Sequence, residues 1–276
     1  MGYDELFAYH VMPITRARHD PEGDYVLGPW VGTGFTFGEG TFVTCWHCVG
    51  AALADNEVYI AVGRREGLQQ ARRDWPIELH RLAQDSNGSD LALATIGPMF
   101  QPRLNLASDP LEWGDDVVAF GFPHTLDTID PETKEKRIET HARVFKGYVT
   151  RLFPDEYQGQ PVVELAMPAP VGMSGGPVFN VQRPTAVRGT SQEPFECVGV
   201  VFGERIHQTS EGELRFGCAF RLDTLREAAA DATDGMPLAE YLARPGAEEE
   251  LGPTDDPNLR AGADHDASGE NASNEH

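Results

Sequence analysis

The chain has 276 residues and a net charge of −22, with 40% hydrophobic and 24% charged residues. This is the composition of a soluble globular protein with enough chain for a sizeable core, and the acidity argues against a nucleic-acid partner, whose backbone rewards Lys and Arg. No apolar run approaches the ~18 residues of a membrane span. Met1-Gly2-Tyr3-Asp4-Glu5-Leu6 lacks both the basic and the apolar part of an export signal. The expectation is therefore a cytoplasmic protein with no membrane partner, whose four cysteines are reduced and buried.

Residues 3–15 mix aromatic and aliphatic positions and predict a first strand, and 16–23 are polar and turn-rich. Residues 26–37 read as a second strand, with Gly32 and Gly34 as bulge or bend positions. Glu39-Gly40 signals a turn, and 41–44 is β-branched and aromatic, so a hairpin of the kind that builds antiparallel barrels is expected. A short helical turn over 48–53 precedes strands at 57–62, 75–82 and 91–96. Three prolines break residues 97–110, which are read as a crossover between two barrels. Gly114 to Pro123 reads as turn, strand, turn. Residues 124–139 are charged and strand-poor, a long surface loop or the tip of an extended hairpin. Strands follow at 140–152, 161–165, 177–181, 197–202 and 214–220. Thr224 with Glu227 fits a capping box for one helix that runs to about residue 242. Residues 245–276 are acidic with almost no apolar anchors, and a disordered tail is expected there.

Val171-Gly172-Met173-Ser174-Gly175-Gly176-Pro177-Val178-Phe179 sets a serine among glycines. Such glycines let the backbone turn tightly and come close to other groups. A nucleophilic serine needs that freedom: its hydroxyl must project into a cleft, and nearby N–H groups must face a developing oxyanion. Two upstream segments complete the pattern. Thr41-Phe42-Val43-Thr44-Cys45-Trp46-His47-Cys48-Val49 follows Gly32-Thr33-Gly34, and Ser89-Asp90-Leu91-Ala92-Leu93-Ala94 lies between that histidine and the serine. In the order His47, Asp90, Ser174, these segments resemble the motifs of the chymotrypsin/trypsin-like serine peptidases. They are closest to the bacterial high-temperature-requirement type, over roughly residues 25–222.

The resemblance implies an all-β fold of two six-stranded antiparallel β-barrels with a C-terminal α-helix. Residues 1–100 would carry His47 and Asp90, 101–243 would carry Ser174, and 244–276 would be the tail, leaving no room for the PDZ domain of the high-temperature-requirement type. It implies Ser174 as nucleophile, His47 as general base and then acid, and Asp90 as the group that orients the imidazole. Gly172 and Ser174 would supply the oxyanion hole through their N–H groups. The floor of the pocket for the residue before the scissile bond (P1) would lie at Met167, Pro168 and Ala169. Its walls would be Val201, Phe202, Gly203 and Gly217. No acid stands among those floor positions, so a small to medium apolar P1 residue is expected rather than Arg or Lys.

Two departures from the family are visible. Cys48 takes one half of a family disulfide whose other half would fall near Gly32. Met173 stands where proenzymes of the family carry an acid, so control by a regulatory protein partner or by ordering of the active-site loop is expected, with 124–139 and the tail as contact segments. The resemblance implies peptide-bond hydrolysis of a protein or peptide substrate by a serine endopeptidase, and neither a metal nor a cofactor is expected.

Three readings compete. Gly172-Met173-Ser174-Gly175-Gly176 also fits the Gly-x-Ser-x-Gly of α/β-hydrolases, but a strand rather than a helix follows, and His207 precedes Asp223. Cys45-Trp46-His47-Cys48 could bind a metal or cycle a disulfide, but Cys197 and Cys218 stand apart. The third is a catalytically silent peptidase fold that serves as a binding or scaffold protein.

Overall fold

Alternating β-branched and aromatic residues organise the first half of the chain into antiparallel ladders. The computed structural model describes residues 10–38, 40–66, 72–97, 104–123, 126–129, 136–139, 141–157, 159–181 and 196–244. The predicted strand part over 3–9, and the tail from 245 onward, lie outside the described residues.

The first sheet contains β1 (Val11–His19), β2 (Tyr25–Gly38), β3 (Thr41–Cys45), β4 (Glu57–Glu66), β5 (Arg72–Glu78), β6 (His80–Gln84) and β7 (Leu91–Thr95). Its order is β5-β4-β1-β2-β3-β7-β6. The strand expected over 75–82 is thus split in two. β5 pairs with β4 and β6 with β7, so the chain leaves one edge of the sheet and joins the other through Leu79. Leu79 N–H bonds to Tyr59 O at 3.0 Å, and Arg81 adopts a left-handed φ of 48° at the corner.

The second sheet contains β8 (Asn105–Leu106), β9 (Asp116–Gly121), β12 (Arg143–Tyr157), β13 (Gln160–Leu165), β14 (Pro177–Asn180), β15 (Glu196–Thr209) and β16 (Gly212–Arg221). Its order is β14-β9-β12-β13-β16-β15-β8, and a β14–β15 pairing closes the six longer strands into a barrel. Between β9 and β12, β10 (Leu126–Ile129) and β11 (Lys136–Glu139) pair as a hairpin, one of the two forms expected for 124–139. The fold is all-β, as expected: the second sheet closes a six-stranded barrel and the first forms a half-barrel sheet, which together follow the expected two-barrel plan.

Alternate residues of β9 enter different cores, as the two-residue period of a strand requires. Val118 and Phe120 join a cluster with Phe35, Phe37 and Phe42 of the first sheet. Val117 and Ala119 join Val149, Val163 and Leu165. β9 is therefore buried on both faces, which explains its near-continuous apolar run.

Gly32 borders a bulge and Gly34 does not: the ladder of β2 with β1 slips between Ile14↔Gly32 and Thr15↔Trp30 and again between Thr15 and Ala17, while Gly34 pairs regularly with Met12. Both glycines serve close approach. A Cβ on Gly34 would collide with the Phe42 ring, and one on Gly32 would lie 2.6 Å from Cys48 Sγ. The second contact is where the resemblance places the missing disulfide partner. All four cysteines are free and buried.

The C-terminal segment does not form the one long helix expected to run to about residue 242. It is broken into α2 (Leu222–Glu227), a 3-10 turn over Asp231–Thr233, and α3 (Leu238–Leu242); the one helical turn near His47 is α1 (Trp46–Val49). Ala228 is extended, with φ −60° and ψ 130°, and Asp234 and Gly235 are left-handed. Nor does Thr224 cap α2. It is the third residue of the helix, and its hydroxyl reaches Pro161 O at 3.5 Å.

The Phe42 ring is fully buried against Gly34. Phe42→Ala is expected to cost about 3–5 kcal/mol through lost transfer energy plus a cavity, read as a lower denaturation midpoint at unchanged slope. A midpoint within experimental error of the wild type contradicts this packing.

Candidate active site

The β3–β7 ladder builds the first half of the site. Cys45 pairs with Leu91, so the residues just after β3 meet the residue just before β7. Trp46 N–H bonds to Asp90 O at 2.7 Å. His47 then uses both carboxylate oxygens of Asp90: its N–H donates to Oδ1 at 2.8 Å, and its Nδ1–H donates to Oδ2 at 2.6 Å. The carboxylate is buried, 7% exposed, while the imidazole is 46% exposed. This geometry commits Nδ1 as donor and leaves Nε2 as the nitrogen that takes up or releases a proton. The bond to Asp90 is the largest cause raising the His47 imidazole above its ordinary value of 6.5; Cys48 adds to it and partial burial opposes it.

The serine loop is fastened to the first sheet by Thr33, whose place in the Gly32-Thr33-Gly34 motif gives no local sign of that role. Thr33 N–H donates to Ser174 O at 2.9 Å, and Thr33 Oγ1 donates to Gly172 O at 2.6 Å while accepting Phe122 N–H at 3.0 Å. Cys48 Sγ also faces Ser174 O, at 3.8 Å. These contacts bring Ser174 beside the helical turn that carries His47. Gly172 has φ +98° and Gly175 φ +88°, and a Cβ on Gly175 would run into Thr33 O and Thr44 Oγ1. Both positions demand glycine.

Within the loop, the N–H groups of Met173, Gly175 and Gly176 bond to the carbonyls of Pro170, Val201 and Met173. Among the described residues, the N–H groups of Gly172 and Ser174 have no such bond. Ser174 Oγ donates to Phe202 O at 3.2 Å, so the hydroxyl is parked on β15 rather than bonded to the imidazole. Met173 is fully buried in the second-sheet core, and its Sδ occupies the space beside Gly121.

The proposed pocket residues lie on facing segments. Met167 and Ala169 are buried, and Gly217 N–H bonds to Met167 O at 2.6 Å. Val201 is buried, Phe202 half-buried, Pro168 exposed, and a Cβ on Gly203 would meet open space. A side chain absent from the sequence reading enters here. Glu204 Oε1 accepts Ala169 N–H at 3.1 Å, and its Oε2 accepts Arg215 Nη1–H at 2.8 Å. A carboxylate thus reaches the floor segment from β15, already neutralised by an arginine. Trp30, Val31, Phe122, Val171 and Gly172 itself line a small recess nearby.

Cys45, His47 and Asp90 bring three possible ligand atoms within 4.8 Å of one another. The set does not suit a metal. Both Asp90 oxygens are engaged by His47, and burial pushes the Cys45 thiol well above its ordinary pKa while its Sγ–H faces Val201 O at 3.3 Å.

The imidazole of His47 should therefore titrate above 6.5, and Asp90→Asn should lower its midpoint by about one unit or more, measured by ¹⁵N NMR of the ring nitrogens. A wild-type midpoint at or below 6.5, or no change in the variant, contradicts the pair.

Residues 32–186 match the family described as trypsin-like peptidase domain. No curated protein matches the chain. Similar solved structures include the active form of Rv3671c protease from M. tuberculosis, 17% identical with a TM-score of 0.47, covering 78% of this chain and 77% of that one. The inactive form of the same protease is 18% identical with a TM-score of 0.46, covering 78% and 85%. The matched family segment spans more than half of the sequence and contains His47, Asp90 and Ser174; the chain belongs to the trypsin-like peptidase family.

Proposed function

We infer that the chain is a serine endopeptidase that hydrolyses peptide bonds through an acyl-enzyme on Ser174. The observation that carries this reading is the two-point His47–Asp90 contact beside a serine loop whose Gly172 and Ser174 N–H groups are unbonded among the described residues. In this reading Ser174 Oγ leaves Phe202 O and gives its proton to His47 Nε2 as it attacks the substrate carbonyl. The carbonyl oxygen becomes an anion facing the N–H groups of Gly172 and Ser174. His47 then protonates the leaving amine, and water releases the acyl group by the same route in reverse. Asp90 keeps Nδ1 as the donor and stabilises the imidazolium between these steps.

Control by a regulatory protein partner or by ordering of the 172–174 loop belongs to the same proposal. Met173 supports it, because a buried apolar side chain offers no ion pair through which a newly cut N-terminus could switch the loop. A cytoplasmic location rests on the sequence alone. The second reading is a binding or scaffold protein, and the parked Ser174 hydroxyl is the observation in its favour.

For specificity we hold to a small or medium apolar P1 residue. The Glu204 carboxylate is spent on Ala169 N–H and Arg215, so it offers little to a cationic side chain and takes up room against the floor.

A fluorophosphonate probe should add one mass increment on Ser174. Ser174→Ala should abolish it, and His47→Ala should slow it by about 10²–10⁴-fold. A folded wild-type protein that stays unlabelled favours the binding reading. In a peptide library the wild type should select small apolar P1 residues, and Glu204→Ala should raise the rate for larger apolar ones by about tenfold or more. Preference of the wild type for Arg or Lys overturns the pocket assignment.

A further inference from the structure

Asp85 is a buried carboxylate, 3% exposed, that the chemistry above does not use. It stands five positions before Asp90, in the loop from β6 to β7. Its Oδ1 accepts the Ala229 N–H at 3.0 Å and the Asn87 N–H at 3.2 Å, and its Oδ2 accepts the Ser89 hydroxyl at 2.6 Å. Its own N–H donates to Leu91 O at 2.9 Å. Asp90 is therefore flanked on both sides, at Ser89 and at Leu91, by residues bonded to Asp85. Ser89 Oγ also takes the Leu91 N–H at 3.3 Å, and Gln84 Nε2–H donates to Ser89 O at 3.0 Å.

The partner on the far side of Asp85 comes from the other end of the chain. After α2, residues 228–230 run extended instead of helical and pass along the loop like a short strand. Ala229 O takes the Ser86 N–H at 2.8 Å, Ala229 N–H goes to Asp85, and Glu227 O takes the Asn87 side-chain amide at 2.9 Å. A second fastening lies at the sheet corner. Arg81, held at a left-handed φ, ion-pairs with Asp231 and with Asp234, and its Nη2 also bonds to Asp231 O.

The geometry points to the segment after the second barrel acting as a strap that positions Asp90, with Asp85 as the positioning residue that joins strap to loop. The strap crosses from the sheet that carries Ser174 to the sheet that carries His47 and Asp90. It holds the carboxylate while the pair changes charge during turnover, when an unsupported loop would let Oδ1 and Oδ2 swing off the imidazole. The part the strap plays in turnover rests on the proposed peptidase reading, but the placement of Asp90 against His47 does not.

The test is therefore made first on the pair itself. In the full-length protein, Asp85→Ala should move the His47 ring titration toward 6.5 and slow fluorophosphonate labelling by about 10- to 100-fold, the penalty of a small misplacement. Asp85→Asn keeps an acceptor for Ala229 N–H and should retain most of both. Asp85→Ala that lowers the melting temperature yet leaves the titration and the labelling at wild-type values overturns the proposal. Should that variant fail to fold, Asn87→Ala, which removes only the bond to Glu227 O, should shift both readouts in the same direction by a smaller amount; no shift in either overturns it. A wild type that never labels, with a His47 titration that still moves in Asp85→Ala, counts against the peptidase reading and for the strap.

Discussion

The site depends on one main-chain seam. At Thr33 the backbone of β2 lies so close to the serine loop that position 175 has no room for a Cβ. Four hydrogen bonds cross or brace that seam: Thr33 N–H to Ser174 O, Thr33 Oγ1 to Gly172 O, Phe122 N–H to Thr33 Oγ1, and Thr44 Oγ1 to Thr33 O at 2.7 Å. Thr33 and Thr44 are fully buried, so each of these groups would cost ~1–3 kcal/mol if left unpaired. The glycines around Ser174 follow from that crowding as much as from chemistry. They let two backbones touch, and the touching places the serine loop of the second sheet against the helical turn that carries His47 in the first.

Electrostatics inside the site is local, although the chain carries 44 acidic and 22 basic side chains. Exposed charges farther away than about 8–10 Å are screened at physiological salt. The Asp90 carboxylate touches His47 at 2.6 Å and is almost wholly out of water, so it acts on the imidazole through a direct bond that salt screens far less than a surface pair. Glu204 illustrates the opposite case. It too is near the site, but Arg215 and a backbone N–H satisfy it, so in the proposed pocket it would act on a substrate more through volume than through charge. Net acidity bears on solubility and encounter; in the proposed reaction the buried pair would govern proton transfer.

The sequence shows local features well and long-range ones poorly. The strand alternation of β2, β3, β7 and β9 was legible because it is written in consecutive residues. His47, Asp90 and Ser174 were legible because each sits in a short motif at a strand end. Thr33, Glu204 and Asp85 were not. Their roles lie in bonds to residues far along the chain: Thr33 to Gly172 spans 139 positions, Glu204 to Ala169 spans 35, and Asp85 to Ala229 spans 144. The C-terminal helix failed for a related reason. Ala228-Ala229-Ala230 has high helix propensity, but Asp85 and Ser86 take the Ala229 N–H and C=O, and tertiary bonding overrides the local preference. The strand over 75–82 failed where the chain turns from one sheet edge to the other, a constraint visible only once β4 and β7 are in place.

The most direct measurement is a crystal structure of the protein with a small peptidyl boronate. The account predicts boron bonded to Ser174 Oγ, with Oγ released from Phe202 O, one boronate oxygen accepting the N–H groups of Gly172 and Ser174, and His47 still held at both Asp90 oxygens. A boronate bound away from Ser174, or a Ser174 hydroxyl that stays on Phe202 O in its presence, would contradict it.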